Sequence, residues 1–117
     1  MAEPAARLYY RIERHNPPLL EDSGPNAALG KPPPRDPSPE ALRLWQRCVS
    51  TQDTLEGARR LARRVRYQLG DFVAVLRVES DAPIVAEAPG GPGHFSLEGD
   101  AQELLKRVVS VESARSE

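Results

Sequence analysis

Residues 53–78 read DTLEGARRLARRVRYQLGDFVAVLRV, and two periodicities meet inside them. At 100° per residue, Leu55, Ala58, Leu61, Ala62, Val65 and Leu69 share one face of a helix. Arg59, Arg60, Arg63, Arg64 and Arg66 fill the opposite face. Asp53 stands as N-cap acceptor with Glu56 three residues on, a capping-box pattern, and Gly70 ends the helix. Phe72 to Val78 is then apolar on both faces until Arg77, which marks an interior strand. A helix with one apolar stripe beside a strand apolar on both sides calls for a helix packed on a sheet.

The flanking segments extend that plan. Leu8, Tyr10 and Ile12 alternate with Tyr9, Arg11 and Glu13, a period of two that predicts a half-buried strand ending before Asn16-Pro17-Pro18. Residues 17–37 carry no periodicity and form a long proline-rich loop, with Leu19 and Leu20 available to pin its start to the core. Within it, Lys31-Pro32-Pro33-Pro34-Arg35 has the composition of a polyproline II ligand, although a stiff connector is the simpler reading. Ser38-Pro39 opens a short helix from Glu40 to Arg47, the serine as N-cap and the proline in the first turn. Cys48 to Gln52 reads as a brief strand.

Beyond the central strand, Ser80 to Pro83 is a turn, and Ile84 to Ala86 a short edge strand. Pro89 to Gly93 is a loop, and His94 to Leu97 alternates weakly enough to be strand or loop. Asp100 with Glu103 forms a second capping-box pattern for a helix through Lys106. Val108 to Val111 closes the fold as a strand, with 112–117 a polar tail. The expectation is an α+β fold in one small domain over residues 1–117. It has a short mixed sheet of four to five strands and two to three helices.

Composition excludes several classes. Hydrophobic residues make up 39% of the 117 and the net charge is −1, so a small core is affordable and a strongly basic nucleic-acid binder is not indicated. A single cysteine, Cys48, rules out an internal disulfide framework and a multi-cysteine zinc site, and reads as a small buried hydrophobe. No run reaches the length of a membrane span and the first residues lack a signal pattern, so a cytoplasmic protein without membrane contact is expected. The five arginines could hold phosphates, but without interleaved aromatics they read as a solvated helix face, and nucleic acid is not expected as a partner. His15 and His94 sit beside loops and are the local candidates for proton transfer. No metal-ligand spacing is present.

One constellation spans the chain from Leu8 to Val111: an arginine on the first strand, a Ser-Thr strand before a helix, and an acidic residue near a glycine-rich loop. It resembles the small ADP-ribosyltransferase fold, including bacterial RES-type toxins and rifamycin-modifying transferases. The resemblance implies a sheet split around a cleft that holds NAD. It also implies catalytic roles for Arg11, Ser50 and Glu98, with Glu103 an alternative carboxylate, and NAD-binding roles for Arg14, His15, Thr51 and His94. A cation grips the pyrophosphate, a hydroxyl orients the nicotinamide ribose, and a carboxylate stabilises the oxocarbenium-like centre as nicotinamide leaves. The departures are that no glycine follows the first-strand arginine and that no single glutamate stands out. The competing expectation is a non-catalytic module that offers its proline-rich loop or its arginine face to a protein partner.

Overall fold

The computed structural model describes residues 5–25, 28, 35, 38–64, 70–87 and 93–115. In chain order they form β1 (Ala6–Glu13), a 3-10 turn (Leu20–Ser23), α1 (Pro39–Arg47), β2 (Cys48–Gln52), α2 (Leu55–Arg64) and β3 (Phe72–Glu79). There follow β4 (Val85–Glu87), β5 (His94–Glu98), α3 (Ala101–Leu105) and β6 (Val108–Ser113). The strands make one six-stranded sheet in the order β4-β5-β2-β1-β3-β6, and every neighbouring pair is antiparallel. The expected mixed sheet of four to five strands is corrected on both points. All six candidate segments are strands. The α2 crossover does make β2 and β3 parallel to each other, but β1 lies between them, so no parallel pair forms.

Local chemistry sets the helix starts. The Ser38 hydroxyl accepts from Ala41 N at 3.1 Å, and the Asp100 carboxylate accepts from Gln102 N at 3.0 Å. At α2 the cap is one residue later than the sequence suggests. Thr54 Oγ1, not Asp53, accepts from Gly57 N at 2.9 Å. Glu103 closes no capping box and pairs instead with Lys106 and Arg107 at 3.0 and 2.9 Å. Val65, Arg66 and Leu69 of the expected helix, residues 31–34 of the proline run, and residues 89–92 of the glycine loop lie outside the described residues.

Two apolar layers sandwich the sheet. On one face α2 brings Ala58 against Ile12, Val73 and Ala114, with Tyr10, Leu55 and Leu61 half-buried around them. On the other, Leu104 of α3 packs with Tyr9, Val49, Ala74, Leu76, Val78 and Leu97. β3 is an interior strand as expected, buried from Val73 to Leu76 and exposed at Arg77. The polar tail begins later than position 112. Glu112 and Ser113 pair with Val73 and Phe72, and Ala114 is buried.

Leu19 and Leu20 do not pin the loop, being 44% and 46% exposed. Asp22 and Ser23 are the buried residues of this turn. Among the described residues no helix is long and apolar enough to cross a membrane.

Candidate functional site

β1 lies inside the sheet, and from Tyr9 to Glu13 both its faces are covered, so its polar alternates there go inside. Arg11 is 2% exposed and Glu13 3%. Along β1 the register with β3 is complete, from Ala6↔Glu79 to Glu13↔Phe72. On the other side, β1 and β2 share one registered pair, Tyr10↔Gln52. Towards Glu13 and Cys48 the ladder stops, and the sheet is notched there. A cavity of about 30 Å³ at the notch is lined by Tyr10, Arg11, Ile12, Ser50, Thr51, Gln52 and Leu61.

The Arg11 guanidinium closes the notch. Nη1 donates to Ser50 O at 2.9 Å, standing in for a β1–β2 ladder bond. Nε donates to Asp22 O at 3.0 Å and Nη2 to Gly24 O at 3.4 Å, so the same group ties the 3-10 turn to the sheet. Burial pushes its pKa down to about 10, opposed by the charges of Glu13 and Asp22, and it stays cationic at neutral pH. The Asp22 carboxylate accepts from Leu19 N at 2.8 Å and from His15 Nδ1 at 3.0 Å. Glu13, two residues from Arg11 on the same strand face, has both carboxylate oxygens buried with no hydrogen-bond partner among the described residues. Burial above all, with Asp22 adding to it and Arg11 and His15 opposing, raises its pKa to about 7.

Ser50 and Glu98 belong to the opposite face from Arg11. In the β2–β5 register Ser50 faces Ser96 and Cys48 faces Glu98, so Ser50 and Glu98 are diagonal neighbours on the α2 side. Glu98 is engaged by α1: Arg43 Nη1 donates to it at 3.1 Å, and Arg43 Nη2 to Glu87 at 3.0 Å. Glu103, the other candidate carboxylate, is held by its own helix. His94 pairs with Gln52 on the same face as Ser50, and burial lowers its pKa. Thr51 turns to the α3 side, where its hydroxyl donates to Phe95 O at 2.9 Å. Arg14 is exposed just past the end of β1.

Cys48 is 1% exposed and its thiol is pushed up to about 11, chiefly by burial. It is an inert small hydrophobe rather than a nucleophile. Among the described residues no His, Cys, Asp and Glu converge as metal ligands. On the arginine face, Arg59 Nε donates to Ser113 O at 3.0 Å and Arg60 lies 4.0 Å from Glu56.

The structure therefore brings Arg11 to the backbone of Ser50 and sets Ser50 beside Glu98, with His15 joined to the Arg11 cluster through Asp22. Sequence reading missed Glu13 and Asp22. Glu13 carried no signal, because the alternation of β1 reads as half-buried and only the strand order covers its second face. Asp22 carried none, because its role depends on where the turn docks. Among known proteins, no family profile matches the chain, and no curated protein or solved structure is significantly similar to it.

Proposed function

We propose that the chain is a small NAD-binding domain of ADP-ribosyltransferase type, with the dinucleotide taken at the notch between β1 and β2. The observation that carries this reading is the parting of the two central strands after Tyr10↔Gln52, with Arg11 and Ser50 meeting across the gap. Arg11 is the first-strand cation of the resemblance and Ser50 bears its central-strand hydroxyl, but the contact made is to the Ser50 carbonyl, and the hydroxyl lies on the α2 face with Glu98. NAD here is substrate. Arg11 grips its diphosphate and Ser50 orients the nicotinamide ribose. Glu98 stabilises the positive charge that develops at the anomeric carbon as the C–N bond breaks and nicotinamide departs with the electron pair, and an acceptor nucleophile bonds to that carbon and gives up its proton to solvent.

The reading sets two conditions. A cavity of about 30 Å³ admits about two waters, whereas small-molecule sites run to roughly 300–1,000 Å³, so the notch has to open. Arg11 must then exchange at least one backbone carbonyl for phosphate oxygen, and Glu98 must leave Arg43. Titration of NAD into the ¹⁵N-labelled chain tests this directly. Saturable shifts are expected at Arg11, Ser50 and residues 94–98, weakened in Arg11→Lys and Ser50→Ala. A flat response at millimolar NAD from a folded protein overturns the reading.

The rival reading, a non-catalytic module, has its own observation. Leu19 and Leu20 are exposed at the entrance to the proline-rich segment. A partner engaging that segment would protect these two leucines and leave Ser50 and Glu98 unshifted.

A further inference from the structure

The segment from Leu19 to Pro25 is tied to the end of β1 by polar contacts, and its 3-10 turn packs on α3. Its carbonyls at Asp22 and Gly24 bind Arg11, its Asp22 carboxylate binds His15 and Leu19 N, and its leucines face solvent. Beneath it lies Glu13, buried, on the same strand face as Arg11 and with neither oxygen partnered among the described residues. An ionised carboxylate in that position is a strong competitor for the guanidinium. A protonated one is not.

We propose that Glu13 is a proton-operated latch: with its proton on, Arg11 stays bound to the carbonyls of the 19–25 segment, and when the proton leaves to solvent, Glu13 draws Arg11 away and the segment loosens.

The charge count around the group favours this. An ionised Glu13 adds a second carboxylate charge beside Asp22 in a buried site, where Arg11 and His15 oppose the shift but do not outweigh the loss of water. His15, the remaining titratable neighbour, is already bound to Asp22. Residues from the other elements on this face, Ala74, Leu76 and Val78 of β3, Val49 and Thr51 of β2 and Leu104 of α3, carry no charge. Glu103 of α3, the helix that packs against the 3-10 turn, is committed to Lys106 and Arg107. Burial holds the Glu13 proton to about pH 7, which puts the latch near neutrality. Nothing in the device needs NAD; it concerns when Arg11 becomes available to any anion.

Amide hydrogen exchange of residues 19–25 across pH 5–8, corrected for the intrinsic pH dependence of exchange, measures the latch. For one coupled proton, the open population of the segment rises up to about tenfold per pH unit and levels off above about 7. The Glu13→Gln chain keeps the segment closed throughout, and Glu13→Asp restores the pH dependence. Sulfate, fully ionised over the whole range, serves as the anion probe, and its effect on the Arg11 side-chain signal grows with pH in the wild type but not in Glu13→Gln. A flat wild-type profile, or a Glu13→Gln profile with the wild-type slope, overturns the proposal. Should the glutamine variant fail to fold, the ¹³C-carboxyl titration of Glu13 in the wild type decides: a midpoint near 4.5 removes the latch, and one near 7 that coincides with segment opening sustains it. The experiment contains no NAD, so its failure leaves the dinucleotide reading standing, and the converse holds.

Discussion

Replacing Arg11 by methionine keeps much of the side chain's length and removes every donor. Three backbone acceptors then lose their partner: Ser50 O at 2.9 Å, Asp22 O at 3.0 Å and Gly24 O at 3.4 Å. The first two are close bonds to a charged donor in a buried site. The third is long and counts for little. Breaking one side of such a buried charged network costs about 3–5 kcal/mol, because the orphaned groups stay desolvated. Native stability for a chain of this length is roughly 6–18 kcal/mol at about 0.05–0.15 kcal/mol per residue, so the substitution removes a large share of it. At about 4 °C per kcal/mol the melting temperature falls by about 12–20 °C. Thermal unfolding followed by circular dichroism reads this, with Arg11→Lys as the intermediate case, since one ammonium cannot reach three carbonyls in the guanidinium's planar geometry. The loss should be local as well as global, with exchange protection at Asp22 N and Gly24 N vanishing first. A methionine variant that melts within a few degrees of the wild type would refute the reasoning, showing that the turn and the β1–β2 notch stay together without the guanidinium.

Glu13 makes stability depend on pH in a stated direction. Its pKa rises from 4.5 to about 7 on folding, so its contribution is complete below about 4.5, declines as pH climbs to about 7, and is flat above. The wild type should thus lose up to about 3 kcal/mol of stability relative to Glu13→Gln as pH rises over that interval, measured by urea unfolding at fixed pH values. Gly70 has φ +150° and a Cβ added there would collide with the Glu13 backbone, so Gly70→Ala should destabilise by about 1–3 kcal/mol or more in the same assay. Leu104 is 1% exposed and is the residue of α3 that enters the core. Leu104→Ala should lose about 3 kcal/mol in urea unfolding, against well under half of that for its half-buried neighbour in Leu105→Ala. Equal losses at the two positions would mean that α3 is not seated on the sheet through Leu104.

The residues that announce themselves in this chain act locally. Ser38 and Asp100 cap their helices through hydrogen bonds to amides two or three residues away, and an amphipathic stripe such as Leu55, Ala58 and Leu61 shows its period within a few turns, so helix starts and the buried face of α2 could be read without a partner in view. Strand identity was legible for the same reason, since alternation from Leu8 to Glu13 and the apolar run from Phe72 are properties of short windows. The cap at Thr54 instead of Asp53 shows the limit even there, because both residues can accept and only the entry angle of the chain chooses between them.

Strand order belongs to tertiary structure. That β1 lies between β2 and β3, and so turns an expected mixed sheet into an antiparallel one, depends on pairings across tens of residues that no short window contains. From that placement come the site's properties. A strand that reads as half-buried is covered on both sides from Tyr9 to Glu13, so Arg11 and Glu13 go inside. The guanidinium finds carbonyls 11, 13 and 39 residues away, and a glutamate with no hydrogen-bond partner among the described residues keeps its proton to near neutrality because the water that would stabilise its charge is excluded. Burial and long-range geometry set the chemistry of those two side chains, and neither is encoded in their neighbours along the chain.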